Sequence, residues 1–242
     1  MIIKQYVSNI TNDFKAYEGD TYLSPKFIYF KSIDIASDFV AKSNNSSRRL
    51  YKLQEGWKSI DCLEMVEVPV TECCEIDTRI CQKLMKSKYP IPNTFTSMFG
   101  NVIKYVSSNN LGSFYDPTTP RIWKAIQKRE YKDKSKKFYW IINNYIYIPI
   151  PVGEIGTPES IRLEGWFIEP WKADELNAKS DSKKICINPL EYEMPIPENL
   201  RNDVSREMYN QLRQVYLQIQ IDDFANMNQS DRTNQRDINN DR

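Results

Sequence analysis

"KFYWIINNYIYIPIP", residues 137–151, is the stretch on which the fold turns. Asn143 and Asn144 separate two strand-like runs, and asparagine is one of the few residues that accepts the positive φ angles of a two-residue type I′ turn. The stretch therefore predicts a β-hairpin. On its arms Tyr139, Ile141, Tyr145 and Tyr147 alternate with Phe138, Trp140, Ile142, Ile146 and Ile148, so both faces are apolar or aromatic. A half-solvated hairpin would show water one polar face. This one is expected to be covered on both, by its own core and by a neighbour.

The same character extends to either side. Upstream, "RRLYKLQEGWKSIDCLEMVEVPV" (48–70) places short runs of Val, Ile, Leu and aromatics among polar residues, a strand pattern. Downstream, "SIRLEGWFIEPW" (160–171) is a further strand that stops at Pro170. Two Pro-rich stretches, "KYPIPNTF" and "IPIPVGEIGTPES", read as stiff connections. In "FYDPTTPRIWKAIQKREYK", Thr119 followed by Pro120 opens a short helix holding Ile122, Trp123 and Ile126.

The chain ends have a helical period instead. Ile3, Val7, Ile10, Phe14 and Tyr17 fall on one helical stripe. Ser24 and Pro25 then read as N-cap and first helical residue of a second helix, whose apolar face carries Tyr29, Ile33, Ala36 and Val40. Near the C-terminus Leu200, Val204, Met208, Leu212, Val215 and Ile219 form a third stripe, extended by Tyr209, Tyr216 and Phe224. The expected fold is thus α+β: an N-terminal helical hairpin and a long C-terminal helix form a bundle, interrupted by a β-rich, antiparallel insertion. The corresponding divisions are a hairpin over 1–47, a β-rich domain over 48–190 and a helix over 191–225 packing on the hairpin. A polar tail over 226–242 has almost nothing to bury and is expected to be disordered until assembly.

Composition narrows the functions. Lys and Arg number 33 against 32 Asp and Glu, and a net charge of +1 argues against a dedicated nucleic-acid binder. There is no histidine. That removes Ser-His-Asp and Cys-His nucleophiles, the usual neutral-pH base, and zinc sets that include His. No apolar run reaches the roughly 18 residues of a membrane span, and the first residues lack a signal peptide's apolar core. A soluble, unsecreted chain is expected.

Three groups of residues are candidate sites. Cys62, Cys73, Cys74 and Cys81, with distant Cys186, are the only thiolates a metal could use, yet none forms a C-x-x-C pair, so small-hydrophobe packing is the better reading. Asp61, Glu64, Glu67, Glu72, Glu75 and Asp77 are the hard-cation alternative, but they alternate with apolar positions as a solvent-facing strand does. Lys124, Lys128, Arg129, Lys132, Lys134, Lys136 and Lys137 form a basic stretch next to Tyr131, Phe138, Tyr139 and Trp140. Its DNA-facing candidates are Lys128, Arg129, Lys132, Lys134, Lys136 and Lys137. No cofactor or catalytic residue is expected. The 15 Tyr, 10 Phe and five Trp exceed what one core needs, and aromatics are enriched at interfaces.

The succession "YLSPKFIYFKSIDIASDFVAK", "RRLYKLQEGWKSIDCLEMVEVP", "KFYWIINNYIYIPIP" and "IRLEGWFIEPW", closing on a helical stripe and a polar tail, resembles virion structural proteins of tailed bacteriophages, especially crAss-like podoviruses. The resemblance implies a ring or adaptor of the head-to-tail connector, in twelve copies beneath the portal protein. It would be assembled in the host cytoplasm, sit at the portal-tail vertex, and have the genome pass through it, in transient contact with the DNA. It also implies a C-terminal arm that grips the portal. By position, the subunit and portal contacts would be Leu200, Val204, Met208, Leu212, Val215, Tyr216, Ile219 and Phe224, with Trp140, Tyr145 and Tyr147. A near-neutral chain suits a channel wall past which DNA slides. The alternatives are a nucleic-acid- or metal-binding accessory protein, and after it a metal-dependent nuclease.

Overall fold

Asn143 and Asn144 do take positive φ, 51° and 63°. They join β7 (Lys137–Ile142) to β8 (Tyr145–Pro151) in an antiparallel pair with Ile142 opposite Tyr145. In the computed structural model, which describes residues 1–18, 23–43, 56–73, 76, 79, 81–97, 100–153, 156–180 and 188–214, this hairpin is one part of a closed β-barrel. The remaining elements are α1 (Ile3–Glu18), α2 (Pro25–Ser43), β1 (Lys58–Val68), β2 (Cys81–Ser87), the short pair β3 (Thr96–Ser97) and β4 (Gly100–Asn101), β5 (Ile103–Ser108), β6 (Phe114–Pro117), α3 (Pro120–Gln127), β9 (Ser160–Gly165), α4 (Pro170–Ser180) and α5 over 198–214. Around the barrel the order is β1-β2-β8-β7-β6-β5-β9, with β9 returning to β1.

Closure depends on β1. Its C-terminal half pairs with β2, Met65 to Val68 against Ser87 to Leu84, and its N-terminal half pairs with β9. Between Ile60 and Leu63 the register with β9 shifts, a bulge that bends the strand from one neighbour toward the other. The polar groups at the bulge are satisfied from α4: the Asp61 amide donates to Asn177 Oδ1 at 2.9 Å, and Asn177 Nδ2 donates to the Ser59 carbonyl at 3.0 Å. Proline at the first position of α4 both ends the preceding extended segment and starts this helix.

One core fills the barrel. Ile60, Leu63, Met65, Met85, Ile103, Val106, Tyr115, Tyr139, Ile146, Ile148, Ile161 and Leu163 are buried together, with every barrel strand contributing, and Phe167 and Ala173 join from the segment that follows β9. Each such aliphatic side chain contributes about 1.5–3 kcal/mol on burial. The residues between them on β2, β7 and β8 face outward into a second cluster: Cys81, Leu84, Trp140 and Tyr147, covered by Cys73 and Ile76 and by Trp123 of α3. The neighbour expected to cover the hairpin's second face thus belongs to the same chain. Trp123 is seated by a helix that starts as expected, with Thr119 Oγ1 accepting the Ile122 amide and Pro120 in the first turn.

The chain divides into two units: Met1–Lys4 with Val40–Pro197, and Gln5–Phe39 with the chain from Glu198. In the second, Ile10 and Phe14 of α1, Ile28, Ile33 and Ala36 of α2, and Val204, Met208 and Leu212 of α5 are buried. Tyr209 donates to Asp13 at 2.7 Å, tying α5 to α1.

Several expectations need correction. The architecture is not a helical bundle with a long C-terminal helix and a β-rich insertion: a closed seven-stranded barrel organises it, accompanied, among the described residues, by five short helices. Nor are its strands all antiparallel, since β6 pairs with β7 in parallel, Tyr115 opposite Lys137. "IPIP" is not a connection: Pro149 and Pro151 lie within β8. The Ile150 amide bonds to Cys81 on the β2 side, so the alternate positions 149 and 151 turn their missing N–H groups to the other side, where the ladder with β7 has ended at Tyr147. Val215, Tyr216, Ile219, Phe224 and the tail 226–242 lie outside the described residues. No helix among the described residues is long and apolar enough to cross a membrane.

Candidate functional site

The expected acidic cluster is dispersed into ion pairs. Asp61, Glu64 and Glu67 of β1 each meet a cation from a neighbouring segment: Arg162 at 3.1 Å from Asp61, Lys83 at 2.9 Å from Glu67, and Lys88 on Glu64. Glu72, on the short turn after β1, bonds to Lys86 and accepts from the Tyr147 hydroxyl at 2.7 Å. The Lys86 hydrogen bond, then the Tyr147 one, holds the Glu72 carboxyl below its ordinary value, and the Glu72 partner raises Lys86. The Lys86 ammonium also lies over the Tyr145 ring at 4.5 Å. Glu75 and Asp77 lie outside the described residues.

The thiols are dispersed too. Cys62 is exposed at the β1 bulge, while Cys73 and Cys81 are buried in the outer cluster. Burial pushes the Cys81 thiol up to about 11, so at neutral pH it is a protonated apolar side chain and not a thiolate ligand. Cys74 and Cys186 lie outside the described residues, and no group of three or more metal-capable side chains occurs among those described.

The basic stretch becomes a loop between α3 and β7, and its shape is set by two internal contacts. Lys132 Nζ reaches back to Gln127 at the end of α3, 2.9 Å to its side-chain oxygen. Asp133 accepts from both the amide and the hydroxyl of Ser135, at 2.9 and 2.6 Å, which keeps its carboxyl below the usual range. Lys132 and Asp133 are therefore committed to the loop itself. Lys128, Arg129, Lys134 and Lys136 are exposed, and Tyr131 between them is 92% exposed. At the foot of the loop, Lys136 and Lys137 line a cavity of about 240 Å³ together with Ser108, Ser113, Thr157 and Ser160.

The expected subunit contacts fare unevenly. Trp140 and Tyr147 are 2% and 5% exposed, packed in the chain's own outer cluster, and Tyr145 is half-buried beside them. Val204, Met208 and Leu212 are buried, and Leu200 is half-buried. Among the described residues the large apolar side chains that face water include others: Phe27 and Phe30 on α2, Phe114 on β6, Ile122 on α3 and Val152 after β8. Phe114 sits edge-on to Tyr105 at 5.9 Å on the outer face of the barrel. Strand alternation around Tyr115 carried the signal for Phe114. Nothing in the helical stripe of α2 singled out Phe27 and Phe30, which widen an already apolar helix.

The family model described as phage tail ring protein 2 matches residues 5–238. No curated protein matches the chain.

Proposed function

The chain belongs to the crAss-like phage tail ring proteins, structural components of the virion that assemble with other tail proteins, and on that premise we propose that it is a ring of the head-to-tail connector. In this reading twelve copies close a ring at the portal-tail vertex, beneath the portal protein, and the genome passes through it during packaging and ejection. Assembly takes place in the host cytoplasm, and the subunit has no catalytic task. The observation that carries the reading is a family match running from residue 5 to residue 238, which takes in both units of the fold.

The surface chemistry supports it. A cyclic ring larger than a dimer uses a heterologous contact, in which two different patches of one subunit meet those of its neighbours. The exposed aromatics Phe27 and Phe30 in one unit and Phe114 in the other supply two chemically suitable sets of side chains, since aromatic residues are enriched at the cores of protein interfaces. Because Val204, Met208 and Leu212 are committed within the helical unit, portal contact is assigned to Leu200 and the chain beyond residue 214. The ion-paired carboxylates Asp61, Glu64, Glu67 and Glu72 favour this reading over a metal-dependent nuclease.

Native mass spectrometry of the purified protein, alone and with portal protein, tests the proposal. A closed ring, formed alone or on addition of portal, is expected. A monomer indifferent to portal would overturn it.

A further inference from the structure

We propose that the loop over 128–137, with the cavity at its foot, is a contact surface for the phosphate backbone of duplex DNA. The inference rests on the ring reading, which brings a genome past the subunit, and adds the surface that meets it. Charge segregation is the first argument. Residues 121–137 hold eight Lys and Arg against Glu130 and Asp133, a local charge of +6 in a chain whose total is +1. The rest of the molecule, with 25 Lys and Arg against 30 Asp and Glu, is therefore net acidic, and the excess of positive charge lies in this one segment.

Preorganisation is the second. A solvated charge run would be free to seek carboxylates on its own surface, but this loop is held by Lys132 on Gln127 and by the Asp133–Ser135 turn. Lys128, Arg129 and Lys134 enter no ion pair among the described residues and face water. Tyr131, almost fully exposed among them, has a hydroxyl able to donate to a phosphate oxygen.

The cavity is the third. Lys136, Lys137, Ser108, Ser113, Thr157 and Ser160 line part of a concavity of about 240 Å³ whose other lining, Trp123, Phe138 and Ile148 among it, is largely apolar; the space has room for one backbone phosphate beside the two lysines. Phosphate contacts of this kind position a duplex without reading its sequence. A handful of them gives weak, salt-sensitive binding compatible with a moving genome.

The test is anisotropy of a labelled random-sequence duplex of about 30 base pairs, titrated with the full chain between about 50 and 200 mM salt, the range over which phosphate contacts are lost. Wild type is expected to bind at low salt and to weaken steeply as salt rises. The exposed-site variant K128Q/R129Q/K134Q is expected to bind at least tenfold more weakly at low salt. Its log–log salt slope should be shallower by about three, near one per contact removed. K136Q, at the cavity, should reduce the slope by about one on its own.

Absence of DNA binding at low salt, a variant that binds like wild type, or tighter binding of polyglutamate than of duplex would each overturn the inference. The ring reading is scored separately by the native mass of the same samples. A ring that ignores DNA removes this inference alone, and a DNA-binding monomer indifferent to portal supports it while removing the ring.

Discussion

Glu72 shows how much one side chain holds in place. It ties the turn after β1 to Lys86 on β2 and Tyr147 on β8, fastening the cover of the outer cluster to the barrel wall. Its folded carboxyl titrates below the ordinary 4.5, so its contribution is present above that pH and is lost as pH falls through the lower folded value. Lys86 titrates above its ordinary 10.5, so its share is present below that pH and is lost only as the solution becomes more alkaline than the raised value. Neutral solution retains both. Glu72→Gln is expected to destabilise by about 1 kcal/mol at pH 7, the scale of a partly exposed, hydrogen-bonded ion pair. Denaturant unfolding at pH 7 and pH 3 should show that difference shrinking in acid, and an equal difference at both would refute the assignment.

The cysteines give a second prediction at the same scale. Burial makes Cys73 and Cys81 slow targets, Cys81 the more so for its raised thiol, whereas Cys62 at the bulge is open to reagent. Peptide mapping after brief alkylation of native protein should find Cys62 modified and Cys73 and Cys81 protected. Equal labelling of all three would mean that the outer cluster opens readily. The reading of the thiols as small packed hydrophobes fits Cys73 and Cys81 and does not fit Cys62, which is exposed. That Cys81 would meet the Ile150 amide was not legible, because the contact joins strands distant in sequence.

Among the elements, the β7–β8 hairpin was the most readable, since its turn type follows from two adjacent asparagines and its strands from their aromatic alternation. Asn143 at φ 51° sits where a β-branched residue is strained. Asn143→Val is expected to cost about 1–2 kcal/mol. Asn143→Gly should be nearly neutral, and thermal unfolding of the two variants checks the contrast. Helix α3 was equally local, with Thr119 and Pro120 marking its start. The bulge in β1, the parallel pairing of β6 with β7 and the passage of β8 through Pro149 and Pro151 were not legible. Each is decided by a partner strand far along the chain. A periodicity of two identifies a strand but does not say which neighbour it takes.

At the scale of the whole molecule the same limit explains the mistaken bundle. Helical stripes at both chain ends are strong local signals, and they correctly located α1, α2 and the start of α5. The barrel has no such signature, because it exists only once β1 reaches both β2 and β9. Its core is nonetheless where a deletion costs most. Leu163→Ala, at a fully buried site facing the barrel interior, is expected to destabilise by about 2–5 kcal/mol. Phe114→Ser, on the outer face, should leave monomer stability within about 0.5 kcal/mol while weakening association between copies. Denaturation midpoints and native masses of the two variants separate folding from assembly, and a Phe114→Ser protein that assembles like wild type would remove that patch from the contact.

Cryo-electron microscopy of the intact virion's portal-tail vertex would place this chain in the particle. The expected result for a connector ring is twelve closed seven-stranded barrels directly beneath the portal, with the loop over 128–137 turned toward the DNA path. A ring of other symmetry, or one seated away from the portal, would contradict the connector role while leaving the tail-ring family intact.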